Sequence, residues 1–264
     1  MASMSRTLSA WVHGLSYEDL PPEVVDRAKG VTLQALTSAL VGQQFDDAKD
    51  ALAMMREEDG GAEVCTVLGS GAKLSRAGAA LVNAETIFAG GKWDTFRMLT
   101  HPSCAILPAA LVASEITETS GKDFITGIVA GYEVMERLAA DFIPTIMSRG
   151  FHAGPVFGIF GAAITLAKMT GLNEEQIHST IAQCVNLASG NVEGVRSGGK
   201  VLREGAAVRN AMLAVAMARH GATGSDSVLE GEAGFYYTFI GNNRGDLRYS
   251  FTADNRADLN AITA

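Results

Sequence analysis

The chain has 264 residues, 47% of them hydrophobic and 19% charged, which suffices for one large domain with a buried core. Its formal charge of -8 comes from 21 basic against 29 acidic residues with no basic run or stripe, so nucleic acid is not an expected partner. Alanine and glycine supply much of the apolar content and aromatics only 7%, so helices packed through small residues are expected over a sheet-rich fold.

Leu8, Trp11, Val12 and Leu15 recur at helical spacing and predict a short helix over 4–14, closed by Gly14. Nothing in this N-terminus has the apolar run of a secretory signal, and the longest apolar runs fall short of a membrane span, so a soluble cytoplasmic protein is the expectation. Pro21-Pro22-Glu23 places proline and an acid where a helix begins, and Val24, Val25, Ala28, Val31, Leu36, Ala39 and Leu40 carry that helix to Gly42. A short helix over 48–56 follows. Glu63 to Gly69, then Ser70-Gly71, is the one strand-and-turn signal of this half and predicts a small hairpin.

Ser75 opens an alanine-rich helix to about Phe88. Beyond it lies the stretch with the most chemistry, Gly90-Gly91-Lys92-Trp93-Asp94-Thr95-Phe96-Arg97-Met98-Leu99-Thr100-His101-Pro102-Ser103. It gathers a carboxyl, hydroxyls, cations, an indole and an imidazole between two rigid elements, where functional groups tend to sit. Further helices are expected from Ser103 to about 118 and from Asp123 to about Phe142. In the helix 151–169, Gly154, Gly158, Gly161 and Ala162 strip one face of side chains. Each glycine there costs about 1 kcal/mol against alanine, so the run implies close packing of another backbone. Helices from Asn173 to about Leu187 and from Arg203 to Arg219 complete the body, and a glycine-punctuated turn at 229–235 leads into apolar 236–240. The expected organisation is a single helical domain over 1–241 and a poorly packed or partner-dependent tail over 242–264. Cys65, Cys104 and Cys184 are odd in number and widely spaced, which suits buried thiols and neither a disulfide nor a zinc site.

Several stretches, in unbroken order over residues 8–240, carry a resemblance. They are Leu15-Ser16-Tyr17-Glu18-Asp19-Leu20-Pro21-Pro22, Ala79-Ala80-Leu81-Val82-Asn83-Ala84, His101-Pro102-Ser103, Gly131-Tyr132-Glu133-Val134, Gly150-Phe151-His152, Lys200-Val201-Leu202-Arg203-Glu204-Gly205-Ala206-Ala207 and Leu229-Glu230-Gly231-Glu232-Ala233-Gly234-Phe235. Together they resemble the MmgE/PrpD family, which includes 2-methylcitrate dehydratase and cis-aconitate decarboxylase. The resemblance implies an all-α helical-bundle large domain, homodimeric, with a pocket that needs no metal or other cofactor. In the family an α/β lid domain follows, and this sequence ends at Ala264 before one, so a lidless chain is expected. Where the family carries a histidine and a run of aspartates in the loop, this sequence has Phe88, Gly91 and Trp93 and keeps Asp94 and Thr95. Arg203 stands where the family has a histidine.

The resemblance implies His101, His152 and Lys200 as catalytic residues, with Phe88, Trp93, Asp94, Thr95 and Arg203 around the substrate. An imidazole with an unperturbed pKa of about 6.5 can give or take a proton beside a carboxylate or carbonyl near neutrality. Both histidines stand at helix starts, where exposed N–H groups attract an anion; the bland alternative is that each only completes a helix end. Lys200 could hold a carboxylate or stabilise an enolate, or be a solvated loop lysine. Asp94 and Thr95 could orient a histidine, bind substrate or cap a helix. His13, His178 and His220 read as structural. The expected activity is lyase or isomerase chemistry on a small molecule that is larger and less charged than the family's polycarboxylates, since an indole and a phenyl replace polar groups. The other reading is a non-catalytic subunit that pairs with a separately encoded lid or a homologous subunit.

Overall fold

The computed structural model describes residues 3–97, 100–196 and 202–241. In chain order the helices are α1 (Met4–Gly14), α2 (Pro22–Gly42), α3 (Asp46–Glu58), α4 (Arg76–Ala89), α5 (Pro102–Ile116), α6 (Gly121–Ala139), α7 (Ile143–Ser148), α8 (Ala153–Met169), α9 (Glu174–Leu187), α10 (Glu193–Arg196), α11 (Glu204–Arg219) and α12 (Phe235–Ile240). Strands β1 (Cys65–Thr66) and β2 (Lys73–Leu74) pair antiparallel, Cys65 opposite Leu74 and Thr66 opposite Lys73. The fold is all-α with one small hairpin, as composition and periodicity predict. The hairpin is shorter than the apolar run 63–69 suggests, because Gly69 and Gly71 both take positive φ and turn the chain early.

Helix starts follow local chemistry. The Ser75 hydroxyl accepts from the Gly78 N–H, Ser120 and Asp123 form a capping box, and Asn173 with Gln176 forms another. Each such cap is worth about 1 kcal/mol. Three helices go unpredicted. α7 and α12 have 6 residues each and α10 has 4, too short for any 3.6-residue periodicity to repeat. The predicted tail over 242–264 lies outside the described residues.

α8 is the axis of the body. Every residue but Lys168 is buried, so it is apolar all round and packs against α5, α6, α9 and α11. Its glycines allow that crowding. A Cβ on Gly161 would meet Ile106 of α5 and Met135 of α6 at 3.0–3.1 Å, and one on Gly131 of α6 would reach the Gly161 carbonyl at 2.8 Å. On another side Phe235 of α12 packs edge-on against Phe157 and Phe160, with ring centroids 5.7 and 5.1 Å apart. Such aromatic pairs add about 1 kcal/mol each beyond their buried area.

α4 packs on α5 and α11, and α8 packs on α5 and α11. The C-terminal end of α4 meets the starts of α5 and α11, where Phe88 lies against His101 and Arg203. The start of α8 meets that of α11, where Gly154 lies against Glu204, so residues far apart in sequence arrive at one end of the body. Among the described residues no helix is long and apolar enough to cross a membrane.

Candidate active site

The loop after α4 is held at its first turn. The Ser38 hydroxyl of α2 donates to the Ile87 carbonyl at 2.8 Å and accepts from the Lys92 N–H at 3.1 Å. Gly91 follows in the left-handed region at φ 67°, and the chain doubles back. Trp93 therefore lies on Phe88, rings 5.0 Å apart and 16° from parallel, with its indole N–H on the Phe88 carbonyl at 2.7 Å. The His101 imidazole sits 4.5 Å from the Trp93 ring.

His101 is the N-cap of α5 and its Nδ1 lies 3.1 Å from the Asp94 carbonyl and 3.2 Å from the Thr95 hydroxyl. A carbonyl can only accept, which assigns the proton to Nδ1 and leaves a lone pair on Nε2. Burial lowers the His101 pKa from its ordinary 6.5; the Asp94 contact opposes the drop and the Arg203 charge adds to it. The imidazole is thus neutral at pH 7 and able to accept a proton.

Asp94 works beneath the loop. Its carboxyl accepts from the Ser103 N–H at 3.1 Å, from the Ser103 hydroxyl and from the buried Tyr132 hydroxyl of α6. The first of these bonds closes the N-terminus of α5. Burial, followed by the charge of Asp94, raises the Tyr132 pKa well above 10.0, so the phenol stays a permanent donor. Nearby the Thr100 hydroxyl reaches both oxygens of Glu136 at 3.2 Å, and burial raises that carboxyl well above its usual range. Tyr132→Phe should lower stability by about 1.5–3 kcal/mol, the worth of a hydrogen bond to a charged group. Urea denaturation checks this, and an unchanged midpoint would contradict the anchoring role.

His152 is the N-cap of α8, set by Gly150 at φ 88° and by a bridge in which the Val192 N–H donates to the Gly150 carbonyl at 2.9 Å. Its Nδ1 is buried with no hydrogen-bond partner among the described residues. Burial first, then the charges of Arg203 and His101, push its pKa down to about 4. That electrostatic coupling is the mark of convergence: positions 101, 152 and 203 share one region of space.

Arg203 is the N-cap of α11, and its guanidinium lies 4.5 Å from the Phe88 ring centroid. The next residue, Glu204, is 1% exposed, and its Oε1 has no hydrogen-bond partner among the described residues. On α4, Glu85 accepts from the Gly205 N–H at 2.7 Å and so closes the N-terminus of α11. Burial raises Glu85 to about 7, the Gly205 bond and Arg203 opposing.

The structure thus brings together Phe88, Trp93, His101, His152 and Arg203. Thr95 stands exposed at the rim and Asp94 lies underneath, while Lys200 lies outside the described residues. Sequence reasoning missed Glu85, Ser103, Tyr132, Glu136 and Glu204. The signal for Glu85 was an acid between Ala84 and Ile87 in an otherwise apolar helix. Glu204 in a first turn resembles an ordinary helix-dipole acid and carries no signal of its burial. No cluster of three or more metal-ligating side chains occurs among the described residues. A cavity of about 560 Å³ lies at the other end of the same helices, lined by Arg76, Ile116, Leu166, Met212 and Arg219 among others, and contains none of these groups.

The family model described as the MmgE/PrpD N-terminal domain matches residues 6–247. Among curated relatives, the cis-aconitate decarboxylase-like protein oryM of Aspergillus oryzae is 28% identical over 92% of this chain and 52% of its own length. Cis-aconitate decarboxylase of Aspergillus terreus is 29% identical over 89% of this chain and 49% of its own. The Homo sapiens enzyme of that name is 28% identical over 89% and 50%. The chain spans about half the length of the curated relatives it matches.

Proposed function

As the chain belongs to the MmgE/PrpD family, we propose that it is a cofactor-independent lyase or isomerase that moves a proton beside a carboxylate or carbonyl of a small molecule. The observation that carries this reading is that His101, His152 and Arg203 are the N-caps of three helices, α5, α8 and α11, whose ends meet. Helix N-termini and a guanidinium favour a carboxylate there. Glu85 and Asp94 already close α11 and α5, so the N–H groups at the start of α8 are the ones left to face a substrate anion.

In this scheme Arg203 holds the carboxylate. His101, with Nδ1–H fixed on the Asp94 carbonyl, offers Nε2 as the base. His152 is the second proton-transfer group, giving a proton to the carbon left by decarboxylation or to a departing hydroxyl. The stacked Phe88 and Trp93 support a substrate with more apolar surface and less charge than a tricarboxylate.

The test follows CO2 release, water loss or gain and solvent-deuterium uptake on cis-aconitate and on larger, less charged unsaturated acids. His101→Ala and His152→Ala should each lower kcat/KM by about 10²-fold or more. Variants as active as the parent would overturn the assignment. Trp93→Asp should move preference toward smaller, more charged acids; an unchanged substrate range counts against the wider pocket.

A further inference from the structure

We propose that Glu204 and His152 form a buried carboxyl–imidazole couple holding one proton, which Glu204 delivers to the reacting centre through the His152 ring. This rests on the active-site reading above. The two groups meet over Gly154. A Cβ on that glycine would lie 2.5 Å from Glu204 Oε1 and 3.2 Å from both Nδ1 and Cε1 of His152. The missing side chain is what leaves the two groups side by side.

Neither Glu204 Oε1 nor His152 Nδ1 has a hydrogen-bond partner among the described residues, and the two are close neighbours without yet being bonded to each other. Buried polar atoms in native proteins are rarely left so, and two such atoms flanking one point have each other as the ready solution. Arg203 is too far to replace that bond, its Nε standing 3.9 Å from Glu204 Oε1. Glu85 is committed elsewhere, to the Gly205 N–H.

The charged and titratable groups around the couple are Glu85 from α4, Cys104 from α5, Arg203 before α11 and His101 before α5. Burial, then the charge of Glu85, raises the Glu204 carboxyl to about 8 against the pull of Arg203. At neutral pH it therefore keeps its proton while His152 stays unprotonated at Nδ1.

The step balances without any co-reactant. The Nε2–H proton of His152 passes to the carbanionic carbon or the departing hydroxyl, and the Glu204 proton moves to Nδ1. The ring ends neutral in its other tautomer. The negative charge that was on the substrate ends on Glu204, beside Arg203. A proton from water restores the couple. Glu204 acts through His152 and is a positioning residue of the relay.

The test is side-chain nitrogen NMR of ¹⁵N-histidine-labelled full chain without substrate, from pH 5 to 10, with His152→Ala to assign the signals. The wild type should show His152 switching from the Nε2–H to the Nδ1–H tautomer with a midpoint near the Glu204 value of about 8. Glu204→Gln should lose that step. With the acid best turned over in the assay above, Glu204→Gln should lower kcat about 10-fold or more with KM changed less than about 3-fold, and remove the alkaline limb of the kcat profile. No tautomer switch in the wild type, or an unchanged kcat profile in Glu204→Gln, overturns the relay. The tautomer switch is read without turnover, so it stands or falls independently of the proposed activity, which the His101 and His152 variants test.

Discussion

Replacing Gly42 with alanine is expected to cost more than about 4 kcal/mol of folding stability, beyond the usual range for a single methyl group. The added Cβ would fall 1.8 Å from the Thr86 carbonyl oxygen and 2.9 Å from the Gly90 nitrogen. Both atoms are backbone of α4 and its cap, so no rotamer change can absorb the overlap. The contact is reciprocal: a Cβ on Gly90 would lie 1.9 Å from the Ser38 carbonyl of α2. Separating the two backbones would also break the Ser38 bridge to Ile87 and Lys92, which sets the start of the loop carrying Trp93, Asp94 and His101. Gly30 supplies the control within the same helix, since nothing lies within 4 Å of its added Cβ. Gly30→Ala should raise stability by about 0.5–1 kcal/mol. Urea unfolding of both variants decides the matter, and Gly42→Ala as stable as Gly30→Ala would refute the close approach.

The second large effect is a loss of stability on the alkaline side, centred on the two carboxyls at the start of α11. Glu85 is raised from 4.5 to about 7 and Glu204 from 4.5 to about 8, mainly because burial disfavours their charged forms. A group whose folded pKa is raised contributes stability that is complete below its unfolded value and is lost as pH rises through the folded one. At about 1.4 kcal/mol per unit, the loss across pH 4.5 to 8 is on the order of 3 kcal/mol for Glu85 and 4–5 for Glu204. His152 works at the other end. Its folded pKa is depressed from 6.5 to about 4, so its contribution is present above pH 6.5 and is lost as pH falls through about 4.

Glu85→Gln and Glu204→Gln keep the shape of the side chain and, for Glu85, an acceptor for the Gly205 N–H. Each variant should gain on the wild type as pH rises from 5 to 9. The double variant should gain less than the sum, because the charge of Glu85 is one cause of the Glu204 shift. A stability difference that stays level with pH would show that these carboxyls are not held neutral by burial.

Much of the fold was legible residue by residue. Ser75 and Asn173 announced helix starts through side chains that bond the first free N–H groups, and those bonds are present, whereas α6 begins at Gly121 behind its Ser120 cap, two residues before the expected Asp123. The glycine run of α8 announced a stripped face, and α5, α6 and Glu204 occupy it. His101 and His152 were legible as residues at helix starts. α7, α10 and α12 were not legible as helices, since a helix of one or two turns owes its existence to what it packs against and leaves no repeating pattern.

The sequence by itself determined the helical class, most element ends and the chemical types available at the site, because these depend on spacing and capping within a few residues. Only the tertiary structure decided that three helix N-termini meet at one end of the body, and that Glu204 is buried beside His152 with no hydrogen bond to its Oε1 among the described residues. Its first-turn position reads locally as a solvated acid. Its burial and raised pKa come from α4, α5 and α8 closing over it, and contacts across 50 to 120 positions of chain leave no local trace in the residues that make them.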